Sequence, residues 1–292
     1  MNSQPNYAAC GSRAAGLYSF ALLFCLALPA QAHRLEKTYQ VEGRPVVTIR
    51  NAQGRISVKS WQRSEVAIIA DHASDRVEID SSQRGNQIEL VTHILDEHVT
   101  PGELTADYQI TVPEESELQI KNDGGMVIVE RVFGDMTIDT VAASVEVREV
   151  SGYLVVKTVE GPFLCRMCAG RIDFNSISGS ARLIQPMSQN VRAQTASGDL
   201  FFDGEFMRNG TYLLKSISGI IEVRFSENDS LNLTATSVTG KVENEANLKP
   251  PVHRSQHLAG RFSNSLAGTM NEGLARVELT SFSGTIRIRK RE

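Results

Sequence analysis

From Gly125 onward, apolar residues return at fixed offsets within a nine-residue unit. The chain divides into GMVIVERVF, GDMTIDTVA, ASVEVREVS, GYLVVKTVE, GPFLCRMCA and GRIDFNSIS, and a further unit opens at Gly179. Position three holds Val127, Met136, Val145, Leu154, Phe163 and Ile172, and position five holds Val129, Ile138, Val147, Val156, Cys165 and Phe174. Two apolar residues flanking one outward residue mark a short, half-buried strand. Position eight (Val132, Val141, Val150, Val159, Cys168, Ile177) follows a bend and is expected to return to the interior. Nine residues are too few for a helix plus a strand, so each unit predicts one strand and one turn, repeated. Glycine opens each unit except where Ala143 replaces it, and is expected to supply the backbone freedom of the turn.

Beyond Gly179 the units lengthen, opening at Gly198, Gly219, Gly240, Gly260 and Gly284. Each of these intervals is close to two nine-residue halves with longer turns. A signature [ST]-x-[ST]-G begins at Ser176, Thr195, Ser216, Ser237 and Ser281, always just before a unit starts. A catalytic serine occurs once, on a strained elbow, whereas five copies at repeat boundaries are turn chemistry. The apolar residue between the two hydroxyls is expected to point inward.

The segment before Gly125 is also β-rich but irregular. PVVTIRNAQGRISVKSW, EVAIIADH, VEIDSS, NQIELVTHI and DYQITVP alternate apolar and polar residues between turn-forming stretches. The pattern predicts an all-β chain: an irregular N-terminal β-module at 33–121, then a β-solenoid-like stack of short strands at 122–292.

Residues 1–32 have the layout of a secretory signal. Arg13 is their only charge, Leu17–Leu28 is apolar, and Ala30-Gln31-Ala32 fits the small-x-small cleavage rule, so the mature chain is expected to start at His33. The apolar run is short of the ~20 residues a spanning helix needs. Removing Arg13 takes the net charge from −4 to −5, which argues against a nucleic-acid binder. Cys165 and Cys168 are then the only cysteines, so the core, not a disulfide framework, must hold the fold.

Three stretches carry a family resemblance: RNAQGRISVKSW (50–61), YQITVPEESELQIKNDGGMVIVE (108–130), and the serial [ST]-x-[ST]-G units ending in LTSFSGTIRIRK (279–290). From about Val46 to its end the chain resembles the bacterial "putative adhesin" β-repeat family, the toast-rack-like domains of unknown function. The resemblance implies a stacked β-repeat at or beyond the cytoplasmic membrane, linked to surface attachment or envelope stress. It brings no catalytic residues. The strict nine-residue units and the insertion at Pro250-Pro251 depart from the family pattern.

Candidate chemistry is sparse. Cys165 and Cys168 form a C-x-x-C, but both fall on apolar repeat positions and read as a core pair or a disulfide, not as a thioredoxin-type site. His253 with His257, and His93 with His98, fall in loop-like stretches, and no metal or cofactor is expected. Arg287, Arg289, Lys290 and Arg291 crowd the C-terminus. They read either as charge guarding an open sheet edge or as a contact with anionic lipid or glycan. A polysaccharide lyase or hydrolase would need acidic groups converging on one outer face. With two units per coil, the outward position four stacks as Ile128, Glu146, Leu164, Arg182 and as Thr137, Val155, Asp173, which puts no two carboxylates on adjacent coils. Val155 and Leu164 are apolar at outward positions, so a partner or another segment is expected to cover them.

The sequence thus predicts an exported, non-enzymatic adhesin-like or scaffold protein of the bacterial envelope, periplasmic or at the cell surface. Its partner would be an envelope protein, a glycan or an anionic lipid surface, with no transmembrane segment after signal cleavage. The alternative is a carbohydrate-active β-helix enzyme.

Overall fold

Alternation of apolar and polar residues becomes strand throughout. The computed structural model describes residues 33–72, 74–96, 98, 100, 102–250 and 264–291. The signal at 1–32, with its cleavage point, and the pair His253 and His257 lie outside them. Among the described residues every regular element is a β-strand.

The irregular N-terminal part comprises β1 (His33–Gln40), β2 (Val46–Trp61), β3 (Glu65–His72), β4 (Val77–Arg84), β5 (Gln87–Ile94) and β6 (Ala106–Pro113). It mixes parallel and antiparallel pairs: β1 and β6 run antiparallel to β3, while β2 runs parallel to β5 and β6. β2 and β7 (Glu117–Glu130) pair with each other along most of their length. Each then serves two columns of strands. Residues 46–50 of β2 pair with β5 and 56–61 with β6. Between the two halves stand Gly54 and Gly125, with φ of +130° and +94°. A Cβ on Gly125 would lie 2.2 Å from the Gly54 carbonyl oxygen, so only glycine fits there.

The regular part begins with β8 (Met136–Thr140), β9 (Ser144–Arg148), β10 (Tyr153–Thr158), β11 (Phe163–Arg166), β12 (Ala169–Ser176) and β13 (Ala181–Ile184). It continues with β14 (Met187–Thr195), β15 (Leu200–Asp203), β16 (Thr211–Ser216), β17 (Ile221–Phe225), β18 (Leu231–Ser237) and β19 (Lys241–Asn244). It ends with β20 (Asn264–Met270), β21 (Ala275–Ser281) and β22 (Thr285–Lys290). From β8 to β17 each strand pairs in parallel with the strand two places on, so Met136 lies beside Leu154 and Leu154 beside Ile172. One even and one odd strand therefore make a coil of two nine-residue units. The columns inferred from sequence are in register: Glu146, Leu164 and Arg182 align, as do Thr137, Val155 and Asp173.

The stack does not end where the chain ends. β21 pairs with β16 on one side and β18 on the other, and β22 lies between β17 and β19. The last coil in sequence is thus inserted beneath the one that precedes it, and β20 caps β18 in antiparallel fashion. This corrects the edge-guard reading of the basic C-terminus. β22 is an interior strand, and β19 and β20 stand beyond it.

Positions three and five form the core: Leu154, Val156, Phe163 and Cys165 of one coil pack on Ile172, Phe174, Ala181 and Leu183 of the next, all buried. Position eight does not behave uniformly. Val132, Val150 and Cys168 are buried, whereas Val141, Val159 and Ile177 are exposed. The two turns of a coil are different devices. One places Arg131, Glu149, Met167 and Gln185, one in every second unit, at φ near +50°, and the residue after Arg131, Glu149 and Met167 tucks inward. The other is the hydroxyl-rich turn, which holds position eight out.

Candidate functional site

The hydroxyl-rich turns build a continuous surface row. In each, the first Ser or Thr accepts a hydrogen bond from the glycine amide three residues on: Gly179 to Ser176 at 2.7 Å, Gly198 to Thr195 at 3.1 Å, Gly219 to Ser216 at 2.9 Å, Gly284 to Ser281 at 2.9 Å, and Gly240 to Ser237 at 3.1 Å. The same hydroxyl donates to a carbonyl of a neighbouring coil, as Ser216 does to Gly198 at 3.2 Å and Ser237 to Gly284 at 2.8 Å. The serines are structural, and their lone pairs and protons are spent on the backbone.

At Ile177, Ala196 and Ile217 the middle residue of the turn uses its carbonyl to accept two amides of the neighbouring turn. Ile177 accepts from Ala196 and Ser197, both at 3.0 Å, and Ile217 accepts from Phe282 at 3.2 Å and Ser283 at 2.8 Å. With its backbone held this way, its side chain points to solvent. Ile177 is 61% exposed, Ile217 56% and Phe282 56%, which corrects the expectation that these residues point inward. Along the stack the row runs Val141, Val159, Ile177, Ala196, Ile217, Phe282 and Val238.

Beside this row lies an open groove of about 500 Å³. Strand ends supply Asn175, Gln194, Lys215 and Thr280, which the parallel pairing holds in register, one per coil. The turns supply Ala196, Ile217, Val238 and Phe282. Lys215 is the one ionisable group in the lining, which contains no carboxyl, imidazole or thiol. Glycoside hydrolysis by an acid and a base has no groups there to work with.

The residues singled out from sequence lie elsewhere. Cys165 and Cys168 are fully buried and joined to each other. The four basic residues are each held by carboxylates: Arg287 by Glu243 at 3.4 Å, Arg289 by Glu243 at 2.7 Å and by Glu245, Lys290 by Glu227 at 2.5 Å, and Arg291 by Asp203 at 2.8 Å. Hydrogen bonding to Arg289 holds the Glu245 carboxyl below its ordinary range, and Lys290 does the same to Glu227. Val155 and Leu164 are half-buried. Asp173, in the same column as Val155, is covered by Tyr153, whose hydroxyl donates to it at 2.7 Å, and by Arg171 at 3.1 Å. His93 faces Asp80 at 3.2 Å and His98 faces Asp96 at 3.7 Å, both exposed. Among the described residues no group of three or more His, Cys, Asp or Glu side chains is placed to hold a metal.

Sequence reading missed the groove because it treated position eight as one class. The signal was an alternation between successive units: Val141, Val159 and Ile177 each sit between a hydroxyl and a small or polar residue before a glycine or Ala143, while Val132, Val150 and Cys168 do not.

Several solved structures are similar over most of the chain. A "putative adhesin" from Bacteroides fragilis NCTC 9343 is 12% identical, with 89% of this chain and 97% of that one covered and a TM-score of 0.38. A "putative cell adhesion protein" from Clostridium sporogenes ATCC 15579 is 10% identical, with 89% and 100% covered and a TM-score of 0.29. A "putative adhesin" from Parabacteroides merdae ATCC 43184 is 8% identical, with 89% and 96% covered and a TM-score of 0.31. No curated protein matches the sequence. The family model Toastrack DUF4097 matches residues 46–289, and the chain belongs to that family.

Proposed function

We propose that the chain is an exported, non-enzymatic, adhesin-like binding or scaffold protein of the bacterial cell envelope that lays an extended glycan along the turn row. The observation that carries this is the groove beside Ile217 and Phe282. It offers one polar side chain per coil (Asn175, Gln194, Lys215, Thr280), and coils lie about 4.8 Å apart. A regular row of amides, a cation and hydroxyls beside exposed apolar side chains suits a polymer whose repeating units carry hydroxyls on apolar rings. Lys215 favours a glycan that carries acidic groups.

Export rests on the small-x-small site before His33, and the link to envelope stress rests on the family resemblance alone. The stack serves as a solenoid-like spacer in which each coil supports the next, with the module at 33–121 closing one end of the repeat at 122–292. A carbohydrate-active enzyme is disfavoured because the groove has no carboxyl. Contact with an anionic surface through Arg287, Arg289, Lys290 and Arg291 is disfavoured because each is already paired.

Co-sedimentation with purified cell-wall glycan tests this reading. The chain from His33 should pellet with the glycan, and Gln194→Ala with Phe282→Ser should release it several-fold while the circular dichroism spectrum stays unchanged. Equal pelleting of parent and variant, or none by the parent, would remove the groove as a glycan site.

A further inference from the structure

Methionine commonly fills gaps in a core, and Met136 and Met270 do so here, both buried. Three others do not. Met167 is 39% exposed, Met187 57% and Met207 37%. They stand at the β11–β12, β13–β14 and β15–β16 connections, on three successive coils, at the opposite end of the strands from the hydroxyl-rich row.

The backbone holds the three side by side. The Met187 amide donates to the carbonyl of Cys168, the residue after Met167, at 2.8 Å. The Met207 amide donates to the Tyr212 hydroxyl at 2.8 Å, and that hydroxyl donates to the carbonyl of Ser188, the residue after Met187, at 2.8 Å. The fold does not call for a thioether here. Met167 sits at φ +51° in the turn where other coils place Arg131, Glu149 and Gln185. A solvent-facing position that suits polar side chains has been given to sulfur.

Cys165 and Cys168 are buried and bonded to each other, so neither offers a thiol. Among the described residues, accessible sulfur is therefore concentrated in this patch, with Met126 half-buried on β7. A thiol reacts as its thiolate, whereas a thioether needs no deprotonation, so exposure decides which methionine is oxidised. We propose that Met167, Met187 and Met207 form a methionine-oxidation site that consumes hypohalous acid at the surface before it reaches the core. The sulfur lone pair attacks the halogen, the halogen–oxygen bond breaks, and hydroxide leaves. Water then adds to the halosulfonium sulfur, halide leaves, and two protons are released, one of which neutralises the hydroxide. Sulfur gives up two electrons, the halogen gains them, and one sulfoxide forms for each acid consumed. A sulfoxide is polar, which an exposed turn accommodates and a packed core does not. The groove lining holds no methionine or cysteine, so this chemistry leaves it unchanged.

The test treats the exported protein with a few equivalents of hypochlorous acid and reads the oxygen gained by each methionine from peptide masses. Met167, Met187 and Met207 should oxidise at least about 10-fold faster than Met136 and Met270, with the strand circular dichroism unchanged. Even oxidation of all five, or loss of strand signal as the three react, would overturn the site. A variant carrying Met167→Leu, Met187→Leu and Met207→Leu, swaps that conserve volume, tests protection of the core. It should gain oxygen at Met136 and Met270, and lose its strand signal, at a several-fold lower dose than the parent. Identical dose dependence in parent and variant would show three exposed residues that protect nothing, and would overturn the proposal.

Discussion

A Cβ built on Gly219 would lie 1.9 Å from the carbonyl oxygen of Gly198, the glycine at the same place in the neighbouring coil. The same relation links Gly179 to Gly161, Gly198 to Gly179 and Gly284 to Gly219, at 2.3, 2.0 and 2.0 Å. None of these glycines has a positive φ, so the repeat requires glycine for room rather than for backbone freedom. Gly219→Ala must then push backbone against backbone and should cost at least about 3 kcal/mol, read from chemical denaturation. Gly102→Ala, with nothing within 4 Å of the added Cβ, should stay within about 0.5 kcal/mol. A neutral Gly219→Ala would contradict the stacking.

Ser216→Ala removes an acceptor for the Gly219 amide and a donor to the Gly198 carbonyl, both buried. A loss of about 1–3 kcal/mol is expected. Ser218, exposed in the same turn and bonded only to the Ala196 carbonyl at 3.4 Å, should lose under about 0.5 kcal/mol as alanine. Comparable losses from the two would mean that the turn is not organised around its first hydroxyl.

The two classes of position eight separate cleanly on substitution. Val150 is buried, so Val150→Ser should cost about 2–3 kcal/mol, whereas Ile177→Ser should be nearly neutral or raise solubility. Thermal denaturation of both variants under one buffer is enough to decide.

Much of this architecture is legible from residue spacing. Positions three and five point inward wherever the nine-residue unit holds, because strand alternation is a local property of the backbone. The pairing of each unit with the next but one also follows from the two-units-per-coil reading. What spacing does not give is any feature that depends on a non-local choice. Ile177 and Cys168 occupy the same unit position, and only the hydroxyls of Ser176 and Ser178, bonded to the Val159 carbonyl of the coil above, decide which one turns outward. The place of β22 was illegible for the same reason, since an inserted coil carries the same pattern as a terminal one.

That insertion has a mechanical consequence. Ile286 and Ile288 are buried between β17 and β19, so ending the chain at Gly284 leaves an empty layer inside the stack rather than a shorter stack. The truncated protein should lose at least about 5 kcal/mol, or fail to fold cooperatively. A truncation that melted within a few degrees of the parent would show β22 to be peripheral.

Alkaline pH should reveal two interior phenols. Burial pushes Tyr108 and Tyr212 up to about 12 from an ordinary value of 10.0. Their protonated forms favour the folded state, and that contribution is complete below about pH 10, where both states keep the proton. It is lost as pH rises through about 12, because the unfolded chain ionises first. Phenolate absorbance and strand circular dichroism should therefore change together between pH 10 and 12. Ionisation of all the tyrosines near pH 10 with the fold intact would contradict the burial.

The central claim is that the outward row of turns is the binding face, and hydrogen–deuterium exchange with and without soluble cell-wall glycan tests it most directly. Protection should appear in peptides covering residues 175–180, 194–198, 215–219 and 280–284, which lie side by side on successive coils, and should fade in the Phe282→Ser variant. Protection confined to residues 243–245 and 287–291, the paired charges of the last two coils, would contradict it.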